Sequence, residues 1–197
     1  MPKKDIQLIS VKRKEGESVK AAAKTVQKTS SSDEPVYVAG EHYVVLDKPV
    51  ATRDSSKIEV VEMFSYGCPH CYEFEPLVKE WGKQQDSDID FWFFPAVWNE
   101  SMKLYAGAFY TAIELKVEDK IHHPLFSAIV IEQKNIRNEN DLANFFSMYG
   151  VAEEDFTSAF NSMAVESQVK QAEARVKDYK PAGVPEIIVN GKYQMST

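Results

Sequence analysis

Ile58-Glu59-Val60-Val61-Glu62-Met63-Phe64 leads through Ser65-Tyr66-Gly67 into Cys68-Pro69-His70-Cys71-Tyr72-Glu73-Phe74-Glu75. The first seven residues read as a buried strand interrupted by two carboxylates, Glu59 and Glu62. The next three read as a short loop. Helical signals begin at Cys68-Pro69, because a proline at the first helical position gives up only an N–H that has no partner there. Pro76, further inside, predicts a kink. Two thiols astride the start of a helix that follows a strand form an arrangement with redox chemistry attached.

Cys68 falls at the helix N-terminus, where unpaired N–H groups and the helix dipole favour negative charge. The thiolate is the attacking form of cysteine. His70 adds an imidazole that favours the thiolate further, and a stable thiolate makes the corresponding disulfide a stronger oxidant. Pro69 and His70 between the cysteines therefore favour giving up a disulfide over reducing one. Cys71, one turn further in, is expected to be more buried and to act as the resolving thiol. These are the only two cysteines in 197 residues. They cannot staple distant segments, and they cannot complete a four-thiolate zinc site. Metal binding and a purely structural disulfide are the competing readings of the pair.

Outward from this motif, Tyr37 to Leu46 reads as a strand entering the fold, and Ile89 to Phe94 as a second strand stopped by Pro95. From about 100 to 178 the apolar period becomes helical. Phe156, Ala159, Phe160 and Met163 form one stripe, and Val165, Val169, Ala172 and Val176 another. Asn138 to Tyr149 reads as a capped helix ended by Gly150. These stripes are assigned to core packing and to no cofactor. At the end, Glu186 to Val189 and Lys192 to Met195 flank Asn190-Gly191, the strongest short hairpin signal. Strand, helix, strand, helices and hairpin in that order predict an α/β protein carrying a helical insertion.

Hydrophobic residues make up 44% and aromatics 12%, enough for a packed core, and no apolar run approaches the roughly 18 residues of a membrane span. The net charge of −7 argues against nucleic acid as a partner. Residues 1–34 hold eight Lys/Arg and five Asp/Glu and read as a polar, flexible tail with a possible short helix around 17–28. Lys3 and Lys4 are followed by no apolar stretch of signal-peptide length.

Val184-Pro185 supplies the other half of a candidate site. Proline is tolerated as a strand begins, and X–Pro bonds are the usual cis peptides. A cis bond here would turn the Val184 backbone toward Cys68 for strand-like pairing with an extended substrate. An ordinary trans bond in a loop is the alternative.

At Cys68-Pro69-His70-Cys71 with Val184-Pro185 the chain resembles the DsbA family of bacterial periplasmic dithiol oxidases. The likeness covers roughly residues 40–195. It extends to Phe64-Ser65, Tyr72-Glu73-Phe74-Glu75, Val117-Glu118-Asp119-Lys120, Pro124-Leu125-Phe126, Asn161-Ser162 and Gly183-Val184-Pro185 through Tyr193. It implies a thioredoxin fold with an inserted helical domain. The first part of the thioredoxin-like domain would be 35–98, the insertion 99–178 and the second part 179–197. The separation of 114 positions from Cys71 to Pro185 agrees with an insertion. The family continues into a final helix against the sheet, which is missing from 179–197. The resemblance also implies Cys68 as nucleophile, Cys71 as resolving thiol and Pro185 as cis-proline. Glu62 and Asp47 fall where acidic residues adjust proton transfer to Cys71. Glu186, after Pro185, departs from the small apolar residue expected and could bias substrate choice.

The same resemblance implies a monomer in the periplasm that oxidises newly exported proteins bearing free thiols. It would be reoxidised by a DsbB-like quinone-linked membrane oxidase, with no metal or organic cofactor. A disulfide isomerase or reductase, and a non-catalytic peptide-binding module using the groove beside Pro185, are the rival readings.

Overall fold

The computed structural model describes residues 37–197, so the expectations for residues 1–34 lie outside the described residues. The elements are β1 (Val44–Val45), β2 (Ile58–Phe64), α1 (Pro69–Lys83), β3 (Ile89–Pro95), α2 (Glu100–Glu114), α3 (Glu118–Val130), α4 (Glu139–Ser147), α5 (Glu153–Phe160), α6 (Met163–Tyr179), β4 (Glu186–Val189) and β5 (Tyr193–Ser196). The strands form one mixed sheet in the order β1-β5-β4-β2-β3. β2 runs parallel to β3 and antiparallel to β4. The parallel pair is joined by α1, the crossover such a pair requires. Helices α2 to α6 all fall between β3 and β4. This is a thioredoxin fold with a helical insertion, an α/β architecture.

β2 is buried from Glu59 to Phe64, as a strand with neighbours on both sides should be. Val61 and Met63 point to one face with Ile188 and Phe94, all fully buried. Val60 and Glu62 point to the other, where Val60 lines an apolar hollow together with Phe74 and Leu77 of α1. Glu59, on the first face, accepts the Arg53 N–H at 2.9 Å and the Trp92 Nε1–H at 3.1 Å. In the helical part, Val165, Val169, Ala172 and Val176 are buried along α6 as the period predicts.

Several details differ from the sequence expectations. Only Val44 and Val45 of the Tyr37–Leu46 stretch form a strand. Gly40, at φ +83°, turns the chain just before them, and pairing with β5 covers two residues. Met163 does not continue the α5 stripe. Asn161-Ser162 breaks the helix, Ser162 caps α6 by accepting the Val165 N–H at 3.2 Å, and Met163 is 86% exposed. β3 runs through Pro95 because it is an edge strand, where a missing N–H costs no ladder bond. The second hairpin strand begins at Tyr193, since Lys192 N–H closes the turn on the Val189 carbonyl at 3.0 Å. Asn190 and Gly191 at its tip both have positive φ, 51° and 58°. α1 runs through Pro76 as one helix.

Candidate active site

Cys68 is the N-cap of α1. Its sulfur accepts the backbone N–H of Cys71 at 3.3 Å, a cap bond supplied by a thiol. The same sulfur lies 3.3 Å from the carbonyl oxygen of Val184. The Val184–Pro185 peptide bond is cis. β2 and β4 pair directly, Met63 opposite Glu186, so the loop before β4 comes level with the loop after β2. That register brings Val184 to Cys68 across 116 residues of chain. Pro69 is the first residue of α1.

The two thiols stand in different surroundings. Cys68 is partly exposed, and Cys71 is wholly buried. Burial pushes the Cys71 thiol well above the ordinary thiol range, and both Cys68 and the Glu62 charge push the same way. Glu62 is itself buried, with Oε2 lacking any hydrogen-bond partner. Burial, followed by the charge of Glu75, raises its carboxyl to about 8.

Neither His70 nor Asp47 is hydrogen-bonded to the Cys68 sulfur, whose partners are the Cys71 N–H and the Val184 carbonyl. The His70 ring is 84% exposed and turns to Glu73, Nδ1 to Oε2 3.9 Å, rather than to Cys68. Asp47 is exposed in a cleft with Lys48, Lys177 and Tyr179 and is not among the charges acting on Cys71. Glu186 is not available to a substrate. Its side chain is buried, Oε1 accepts the N–H groups of Ala182 and Gly183, and Oε2 accepts from Gln194. The carboxylate therefore pins the loop that carries Val184.

Three further residues near the dithiol had no assigned role in the sequence. Glu75 lies four positions after Cys71, on the same helix face, a spacing that could have flagged it. It is buried and accepts from His123 Nδ1 of α3 at 2.9 Å. His122, also on α3, is hydrogen-bonded to Tyr66 at 2.8 Å within a box of Phe64, Phe93, Phe109 and Phe126. Burial pulls it down to about 3, so it is neutral. No sequence signal pairs α3 with these residues. Among the described residues, no group of three His, Cys, Asp or Glu side chains is placed to hold a metal ion.

An N-capping thiol beside a buried partner thiol, facing a cis-proline loop across a mixed sheet, defines a thiol–disulfide oxidoreductase of the thioredoxin fold. Comparison with known proteins narrows this class. The DSBA-like thioredoxin domain family matches residues 78–197. The thiol:disulfide interchange protein DsbA of Pseudomonas aeruginosa is 39% identical over 158 residues, 80% of this chain and 75% of that one. That of Pseudomonas syringae pv. tomato is 38% identical over 173 residues, 88% and 80% of the two chains. The crystal structure of P. aeruginosa DsbA matches with a TM-score of 0.78 and 38% identity, covering 81% of this chain and 83% of that one. The oxidoreductase DsbA from Xylella fastidiosa matches with a TM-score of 0.76 and 34% identity, covering 81% and 88%. The chain belongs to the DsbA family, and it is a thiol:disulfide oxidoreductase.

Proposed function

We propose that the protein donates a Cys68–Cys71 disulfide to newly exported proteins in the periplasm. The observation that carries this reading is the unequal setting of the two sulfurs: one caps a helix beside the Val184 backbone, the other is sealed inside. A substrate thiolate attacks the Cys68 sulfur. The Cys68–Cys71 bond breaks, a substrate–Cys68 bond forms, and Cys71 leaves with the electron pair. A buried thiolate at Cys71 is unfavourable and takes a proton. Glu62, holding its proton at neutral pH, supplies it. A second substrate thiolate then attacks the substrate sulfur and releases Cys68 as a thiolate, which the helix terminus favours.

The substrate's two electrons end on the dithiol, and a DsbB-like quinone-linked membrane oxidase removes them. Val184 and Pro185 hold an extended substrate segment beside Cys68. Residues 35–98 and 179–197 act as the thioredoxin-like part of a monomer and 99–178 as its inserted helical part, which agrees with α2 to α6 falling between β3 and β4.

The deciding experiment is the equilibrium potential of the dithiol against glutathione. An oxidising value, well above that of a reductase, is expected. A reducing value would favour the isomerase or reductase reading instead.

A further inference from the structure

A cleft of about 450 Å³ opens beside β3 and shares no lining residue with the dithiol site. Phe91, Trp92 and Phe93 of β3 and Phe109, Tyr110 and Ile113 of α2 form its apolar walls. Arg53, from the stretch before β2, and Arg175, from α6, border it as well. A cleft of this size takes a small organic molecule, and apolar or aromatic walls with a few charged groups are the usual make-up of such a site.

Both guanidinium groups lie over Trp92, with Cζ of Arg53 4.7 Å and Cζ of Arg175 5.0 Å from the ring centre. Two like charges drawn to one ring repel unless anions offset them. For Arg53 the offset is Asp90, Nη2 to Oδ1 3.2 Å. Arg175 is half-buried and forms no ion pair with any carboxylate among the described residues. Its one hydrogen-bond partner there is the Tyr179 hydroxyl, at 3.4 Å. The buried carboxylate of Glu59 is taken by the Arg53 N–H and the Trp92 Nε1–H. Lys79, also on the lining, is engaged by Asp119 at 3.2 Å. Glu118 is the one carboxylate on the lining, against Arg53, Lys79 and Arg175. The charge of Arg175 is therefore the uncommitted one. Stacking uses the flat face of a guanidinium and leaves its N–H edges free, and those edges grip a carboxylate in a fork. Two turns earlier on α6, Gln168 Oε1 is buried with no partner. A half-turn of that amide, nearly unchanged in shape, sets NH2 donors in the same place.

We propose that this cleft is a binding site for a small aromatic carboxylate, whose charge is gripped by the free N–H edge of Arg175 and whose ring packs against the apolar walls from β3 and α2. An inorganic anion would meet Arg175 but leave those walls to water, and a neutral ring would cover the walls but leave Arg175 unpaired. A molecule with both parts answers both. None of the lining side chains takes part in the exchange at Cys68 and Cys71. Occupancy of the cleft is thus separate from the oxidoreductase activity.

The test titrates the full chain with naphthoate, with its neutral counterpart naphthamide and with inorganic phosphate, followed by proton–nitrogen NMR. Naphthoate is expected to shift the Trp92 Nε1–H and the backbone signals of residues 168–175 to saturation, leaving those of Cys68 and Cys71 in place. Naphthamide should bind about tenfold more weakly or worse, the usual size of a charge-assisted contact. In Arg175→Gln that difference should disappear, while exchange at the dithiol stays as in wild type and reports an intact fold. Arg137→Gln, which removes an arginine bordering a different cleft, should leave naphthoate binding unchanged. Naphthoate and naphthamide binding equally to the wild-type protein would overturn the inference, and this comparison decides the matter even if Arg175→Gln does not fold. Phosphate matching naphthoate in affinity at the same signals would overturn it too. So would equal losses in Arg137→Gln and Arg175→Gln, or signals of Trp92 and α6 that stay put up to millimolar naphthoate.

Discussion

The sulfur of Cys68 lies 3.3 Å from the carbonyl oxygen of Val184, a residue 116 positions away, and 3.3 Å from the N–H of Cys71, three positions away. One contact is local and comes from capping a helix. The other exists only because β2 and β4 are neighbours in the sheet.

Replacing the buried partner should arrest the exchange halfway. In Cys71→Ser, Cys68 remains partly exposed at the helix terminus but no thiol is left to release a bound substrate. Cells expressing this variant should accumulate mixed disulfides on Cys68 that collapse on reduction, visible on non-reducing gels. Their absence would count heavily against the disulfide-donating mechanism.

His70→Ala should make the protein less oxidising. The His70 ring is not bonded to the sulfur and is 84% exposed, so its influence is through its field alone and should weaken with added salt. A loss of tens of millivolts is expected, since about 30 mV corresponds to a tenfold change for this couple. Glutathione equilibria at low and high salt measure it, and an unchanged potential at low salt would remove His70 from the mechanism.

The raised carboxyl of Glu62 makes stability pH-dependent in the reduced protein. Between its ordinary value of 4.5 and about 8, the folded state keeps a proton that the unfolded chain has released. The folded state binds more protons there, so stability falls as pH rises through that window. The loss should be on the order of a few kcal/mol and should largely vanish in Glu62→Gln. Denaturant midpoints across that pH range test the sign. A flat wild-type profile would contradict the buried, unpartnered carboxyl.

Glu186→Ala should loosen the loop that presents Val184. It leaves the N–H groups of Ala182 and Gly183 and the amide of Gln194 without their acceptor. A loss of about 1–3 kcal/mol is expected for such stranded buried donors. Hydrogen exchange should show early opening at residues 182–184. Unchanged protection there would mean that the loop is held by other contacts.

Gly191→Ala should be costly at the far end of the sheet. Its φ is 58°, and an added Cβ would stand 2.0 Å from the carbonyl oxygen of Val50. Val50 N–H is bonded to the Gly191 carbonyl at 2.8 Å, so neither backbone can retreat without breaking that bond. A destabilisation above about 1 kcal/mol, read from chemical denaturation, is expected. A variant with an unshifted midpoint would show that the strap from Leu46 to Val50 moves freely.

Much of the catalytic half was legible before any coordinates. The strand of residues 58–64, the loop, the N-capping Cys68, the helical block and the Asn190-Gly191 turn each depend on residues within one or two turns of each other. Local period, capping and turn chemistry specify such elements. The same reasoning overextended Tyr37–Leu46 into a strand and carried Met163 into the wrong stripe. Pattern registers apolar spacing but not the partner strand or cap that ends an element.

Relations across long stretches of chain came only from the folded whole: Val184 against Cys68, His123 of α3 against Glu75 of α1, and Glu186 turned inward to hold its own loop rather than outward to a substrate. Asp47, suggested by family likeness as a partner of the dithiol, stands in a different cleft. Such contacts depend on which strands pair and how helices pack, and hence on a balance of burial and desolvation summed over the whole molecule. No short window of residues contains that sum. The order of amino acids thus sets two thiols at the start of a helix, and packing decides which of them is sealed inside.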